Sequence, residues 1–177
     1  MWGRPFSWPY KYKSILHSRS IMVQFKKTKS RYDYKAAMAG RRCEIDDVFT
    51  GVTYGPFLCG LVDDALPRVR VASERIQRKY QGSDNSKISD LEKMKRLIEI
   101  LVEVGGLLGW ENILDANDKP VPFTVENAIS FFSQHDIDEE TGKPIMTHEW
   151  LYHKVANFCS NLINFQPVDQ KGLPEKN

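Results

Sequence analysis

Cysteine is scarce in this sequence, and no long apolar run occurs. The three cysteines, Cys43, Cys59 and Cys159, are far apart and form no Cys-x-x-Cys pair. That spacing excludes a disulfide scaffold and a cysteine zinc knuckle, and a reducing cytosol is the expected setting. The greasiest stretch, Leu97-Ile98-Glu99-Ile100-Leu101-Val102, is interrupted by charge well before the roughly 20 residues a membrane span needs. Trp2 to Ile21 has neither the apolar h-region nor the small-residue cleavage site of a secretory signal, and Pro5 and Pro9 break the helix a mitochondrial leader would use. No Gly-x-x-x-x-Gly-Lys loop, Gly-x-Ser-x-Gly elbow or Gly-x-Gly-x-x-Gly turn occurs either. What is present is globular: 41% hydrophobic, 27% charged and 11% aromatic residues over 177 positions, enough for one buried core with tails.

The formal charge of +2 conceals an asymmetry. Residues 1–32 hold eight basic residues and no acid, leaving 17 basic against 23 acidic residues elsewhere. Trp2, Phe6, Trp8, Tyr10 and Tyr12 mixed with Arg4, Lys11 and Lys13 could stack on single-stranded bases. Met22-Val23-Gln24-Phe25 reads as an ordinary protein start, however, so residues 1–21 are expected to be an unstructured, over-extended start. Without them the chain is acidic and nucleic-acid binding loses its electrostatic basis.

Short apolar runs between glycines predict a small β-rich lobe over 22–66, with one helical turn near Lys35 to Met38. Val69, Ala72, Ile76 and Tyr80 mark one side of a helix ending at Gly82, with Arg70, Glu74, Arg78 and Lys79 on a solvated face. Ser89 and Glu92 form a capping box, and the three-and-four spacing from Leu91 predicts a helix to about Leu108. A connector over 111–123 follows, then a helix capped by Thr124, an acidic loop over 134–145, a last helix from about Thr147, and a disordered tail over 167–177. The expected class is α+β, a helical domain over 67–166 of about four helices with a small N-terminal β-rich lobe.

Two metal-like patterns fail on spacing. His148 and His153 are five residues apart, about 140° around a helix, whereas a zinc-protease pair is four apart and nearly aligned. The run from Asp136 has its glycine seventh, at Gly142, and Thr147 where a calcium loop needs a bidentate Glu. Cys159 and His153 are also too far around a helix for a dyad. No catalytic, cofactor or metal site is expected, and a binding or assembly role is favoured over an enzyme using Asp136, Asp138 or Glu140 around a metal.

One ordered series of residues is distinctive. Gly109-Trp110 is followed by a turn with Asp115, Asn117 and Asp118, then by Pro120-Val121-Pro122-Phe123-Thr124 and a helix containing Asn127. Together with the basic segment 69–80 and the closing segment 155–165, this resembles the tail assembly chaperone family of long-tailed, siphovirus-like bacteriophages. The resemblance covers about 100 residues, 65–166. It implies a non-enzymatic protein without cofactor, working in the host cytoplasm, that binds the phage tape measure protein and recruits the major tail tube protein, with self-association possible and no membrane involved. Trp110, Asp115, Pro120, Pro122, Phe123, Thr124 and Asn127 carry the motif, as structural residues first. Arg70, Arg78, Lys79 and Trp150 are the candidate partner contacts. The family's frameshifted longer product would find a slippery run if Glu175-Lys176-Asn177 is encoded GAA-AAA-AAC. The alternative reading is a structural tail or head-tail connector protein retained in the virion.

Overall fold

A computed structural model describes residues 32–83 and 85–167. The expectations for residues 1–21 and for the tail after 167 lie outside the described residues. Among the described residues there are five α-helices: α1 (Tyr34–Ala39), α2 (Pro67–Lys79), α3 (Asp90–Glu103), α4 (Val125–Phe132) and α5 (Glu149–Ser160). Strands β1 (Arg41–Asp46), β2 (Thr53–Cys59) and β3 (Leu107–Trp110) form one antiparallel sheet in that order, and β4 (His135–Ile137) pairs with β5 (Pro144–Met146). The class is α+β, as the sequence predicts, with four helices longer than six residues.

Three local expectations need correction. The α3 periodicity runs past Glu103, but the helix stops because Gly105 adopts φ +72°, a backbone state that side-chained residues avoid. The next residues become β3, whose Phe57–Trp110 and Leu58–Gly109 pairings attach it to β2. The acidic loop is a hairpin: Asp138 turns the chain by accepting the Glu140 and Thr141 amides at 2.9 and 2.8 Å, which also holds its carboxyl below the ordinary range. Thr147 does not cap α5. Its hydroxyl donates to the Gln134 carbonyl at 3.0 Å, and His148 occupies the cap position without a side-chain bond to the helix.

The caps of α3 and α4 form as their sequences dictate. Ser89 Oγ accepts from the Glu92 amide at 3.2 Å, and Thr124 Oγ1 accepts from the Asn127 amide at 3.1 Å. The remaining periodicity decides what is buried. Met94, Ile98 and Leu101 of α3, Ala128 and Phe132 of α4, and Leu151, Val155 and Cys159 of α5 close over Cys43, Phe57 and Cys59 of the sheet. A second cluster joins Ala37 of α1, Leu61, Leu66, Val69 and Ala72 around α2, Val104 and Phe165.

Arg68 straps this second cluster. Its guanidinium donates to the carbonyls of Gly105 at 2.8 Å, Ala37 at 2.9 Å and Leu61 at 2.8 Å. Gly105 and Ala37 lie at the C-terminal ends of α3 and α1, where unpaired carbonyls concentrate partial negative charge. One cation therefore supplies the donor for the Gly105 and Leu61 carbonyls and a second donor for the Ala37 carbonyl, which also accepts the Leu61 amide at 3.1 Å. The neighbouring glycines make room for it: a Cβ on Gly105 would stand 2.1 Å from an Arg68 nitrogen, and one on Gly60 would stand 2.3 Å from the Gly105 carbonyl.

Candidate partner-binding surface

The motif residues assemble into one structural joint. Trp110, at the end of β3, donates its indole N–H to the Val121 carbonyl at 2.8 Å and meets Phe123 edge-on at 5.1 Å and Phe131 at 5.5 Å. Asp115 organises the turn between them. Its Oδ1 accepts the Asn117 and Lys119 amides at 2.8 and 2.9 Å, and those bonds hold its carboxyl below the ordinary range. Asp118 sits in the left-handed region at φ +59°, a state that aspartate tolerates better than most side-chained residues. Leu114 and Pro120 form a bridge, so the connector folds back on itself before reaching α4. Asn127 then donates from Nδ2 to the Pro122 carbonyl at 2.8 Å, tying the first turn of α4 to the proline segment. These residues spend their polar groups on the connector itself.

The four candidate contacts do not converge. Arg70 is exposed on α2, Arg78 lies 3.6 Å from Glu74, and Lys79 forms an ion pair with Glu99. Burial alone would raise the Glu99 carboxyl, but hydrogen bonds from Lys79 and Tyr80 outweigh it and hold Glu99 below its ordinary range. Trp150 lies elsewhere, on the first turn of α5, edge-on to Tyr54 at 5.9 Å.

Two apolar surfaces that the sequence does not single out emerge from the packing. The first is a groove of about 370 Å³ between α2 and α3, lined by Ile76, Ile88, Leu97 and Ile100 with Lys93 and Arg96. Arg96 lies over the Tyr80 ring at 4.7 Å to its centroid, and Leu97 is exposed. Leu97 belongs to the apolar stripe of α3, but α2 contacts that stripe only in part, so it stays open. The second is the tip of the β1–β2 hairpin. Val48 is 84% and Phe49 96% exposed, beside a cavity of about 350 Å³ lined also by Trp150 and Lys154. Asp47 and Gly51, bracketing Val48-Phe49-Thr50, were the turn signal in the sequence that places these apolar residues outside a strand.

The histidines and cysteines are dispersed or sealed. His148 packs against Phe131 at 5.0 Å and Tyr54 at 5.8 Å, whereas His153 is exposed 3.6 Å from Glu149. Cys43, Cys59 and Cys159 are all buried, and Cys159 Sγ donates to the Gly106 carbonyl at 3.2 Å. Cys159 is thus a fully buried core residue. Hydrogen bonding between the Cys43 and Cys59 thiols, with burial, pushes Cys43 far above the ordinary thiol range, so it stays protonated. Among the described residues no group of three or more His, Cys, Asp or Glu side chains is placed to hold a metal ion, and no helix is long and apolar enough to cross a membrane.

A family model described as YdaY prophage protein matches residues 64–171, more than half of the chain. The match spans α2 through α5, including the groove and the Trp110 joint, and stops short of the β1–β2 hairpin. No curated protein and no solved structure matches the chain.

Proposed function

The chain belongs to the YdaY prophage protein family and is phage-derived, and from that premise we propose that it is a non-enzymatic tail assembly chaperone, binding the tape measure protein in the host cytoplasm and recruiting tail tube subunits. The observation that carries this reading is the open groove between α2 and α3. Its aliphatic lining suits the apolar stripe of an amphipathic helix, and Lys93 and Arg96 are the only charged side chains in that lining. A long helical client would place successive stripe residues against Ile76, Leu97 and Ile100 and so keep them from water and from one another. The Trp110 joint fixes how α4 meets the sheet and so serves the scaffold rather than the groove.

Co-expression with the tape measure protein of the same prophage tests this. The wild-type chain should carry the tape measure protein into the soluble fraction and co-purify with it, and Leu97→Asp should lose both effects while remaining folded, because Leu97 is exposed. A tape measure protein that is equally insoluble with and without the chain would overturn the proposal. Purified virions should lack the chain; its presence there in stoichiometric amount would make it a structural subunit instead.

A further inference from the structure

We propose that the β1–β2 hairpin tip and the adjoining first turns of α5 form a self-complementary surface on which two copies of this chain dimerise, Phe49 of each copy entering the cavity beside Trp150 of the other. The surface is separate from the α2–α3 groove and the inference stands whatever that groove binds.

The argument begins with the turn. Asp47 accepts the Phe49 amide at 2.9 Å and the Thr50 hydroxyl at 2.7 Å, and its backbone carbonyl accepts the Gly51 amide at 2.8 Å. Asp46 accepts the Thr53 hydroxyl across the hairpin at 2.7 Å. These bonds tie the turn's backbone together, and Val48 and Phe49 project from it into water. Scattered exposed apolar residues are ordinary, but a nearly fully exposed phenylalanine carried on a hydrogen-bonded turn beside an exposed valine and a partly covered tryptophan has the make-up of an interface anchor. Ordering such a turn on binding costs less because its backbone is already hydrogen-bonded.

Charge identifies the occupant. The cavity beside the tip, about 350 Å³, is lined by Asp46, Asp47 and Lys154 as well as by Val48, Phe49 and Trp150. None of these three charged groups has an ion-pair partner among the described residues. A patch with an aromatic anchor, an apolar cavity, carboxylates and a lysine contains both halves of its own complement. Two-fold pairing sets the Asp46 and Asp47 of one copy against Lys154 of the other, twice, around a centre of Phe49 and Trp150 side chains. A client of one charge sign would leave half of these groups opposed to nothing.

Sedimentation velocity of the full chain over a concentration series tests this. Wild type should show a reversible monomer–dimer equilibrium, and Phe49→Asp should weaken it by at least about 30-fold, the effect expected for losing an interface anchor, with the same thermal midpoint as wild type at dilutions where both are monomeric. Asp46→Lys and Lys154→Glu should each weaken self-association, and an equimolar mixture of the two should associate more tightly than either alone, since positions 46 and 154 then carry opposite charges at both contacts. Three results would overturn the proposal: a wild-type chain that stays monomeric at about 100 µM, where a micromolar contact is saturated; a dimer that survives Phe49→Asp; or charge variants whose mixture associates no better than either alone. A dimer lost through Leu97→Asp but not Phe49→Asp would assign association to the groove and likewise exclude the hairpin tip.

Discussion

Arg68 and Trp110 hold distant parts of the backbone by the same device and with opposite chemistry. Arg68 uses a charged fork to donate to carbonyls 7, 31 and 37 residues away, at the ends of two helices and the segment after β2. Trp110 uses a ring that donates one N–H to a carbonyl 11 residues away and draws the rest of its hold from contact with Phe123 and Phe131. The first joint depends on satisfied carbonyls and the second on buried ring area. The difference teaches that equivalent positions in the architecture, one under each cluster, can fail by unrelated routes: loss of polar partners in one, loss of packing in the other.

The sharpest way to break the comparison is to remove the cation. Arg68→Ala should destabilise the chain by about 3 kcal/mol or more, because hydrogen bonds from charged donors contribute about 1.5–3 kcal/mol each and the Gly105 and Leu61 carbonyls lose their donor, while the Ala37 carbonyl keeps only the Leu61 amide. Chemical denaturation of the full chain measures it, and a loss below about 1 kcal/mol would mean that water replaces the fork. Gly105→Ala should also be costly in wild type, since its Cβ would overlap the guanidinium and its φ is +72°. In the Arg68→Ala background the overlap vanishes, so the cost should fall to the backbone part alone, about 1–2 kcal/mol. Additive losses in this double-mutant cycle would show that the two positions do not meet.

On the aromatic side, Trp110→Phe keeps a ring but deletes the donor to Val121, and should cost about 1–2 kcal/mol, less than Arg68→Ala. Thr124→Ala, which unmakes the α4 cap at the far end of the same joint, should cost about 1 kcal/mol by the same denaturation experiment. An order in which either exceeds Arg68→Ala would reverse the ranking of the two joints.

The two joints also differ in how far they could be read from sequence. Trp110, Asp115, Pro120, Pro122, Phe123 and Thr124 lie within fifteen residues, so the turn at Asp115 and the cap at Thr124 follow from rules that act on neighbours, whereas the Trp110 bond to Val121 and its contact with Phe131 do not. Arg68 sits in an amphipathic helix where an arginine looks solvated, and its acceptors are backbone atoms, which have no sequence signature. The end of α3 was missed for a related reason: apolar residues continue at helical spacing through Leu107 and Leu108, and only the pairing of those residues with β2 turns them into a strand. The groove and the hairpin tip are properties of what packing leaves uncovered. Periodicity finds the stripe containing Leu97 but cannot say how much of it a neighbouring helix covers.

Acid should act on one joint and spare the other. The aromatic stack continues from Trp110 through Phe131 to His148, which also meets Tyr54, whereas the Arg68 fork carries no group that titrates near neutrality. Burial holds the His148 imidazole below its ordinary pKa, and its place at the start of α5 opposes a positive charge there as well. The folded chain therefore takes up the proton later than the unfolded chain does. Stability from this group is complete above the unfolded value near 6.5 and declines as pH falls from there toward the lowered folded value. Denaturation midpoints of wild type should drop modestly between pH 7.5 and 5.5, and His148→Gln should remove most of that slope while Arg68→Ala keeps it. A slope that persists in His148→Gln would place the titrating group outside the aromatic stack.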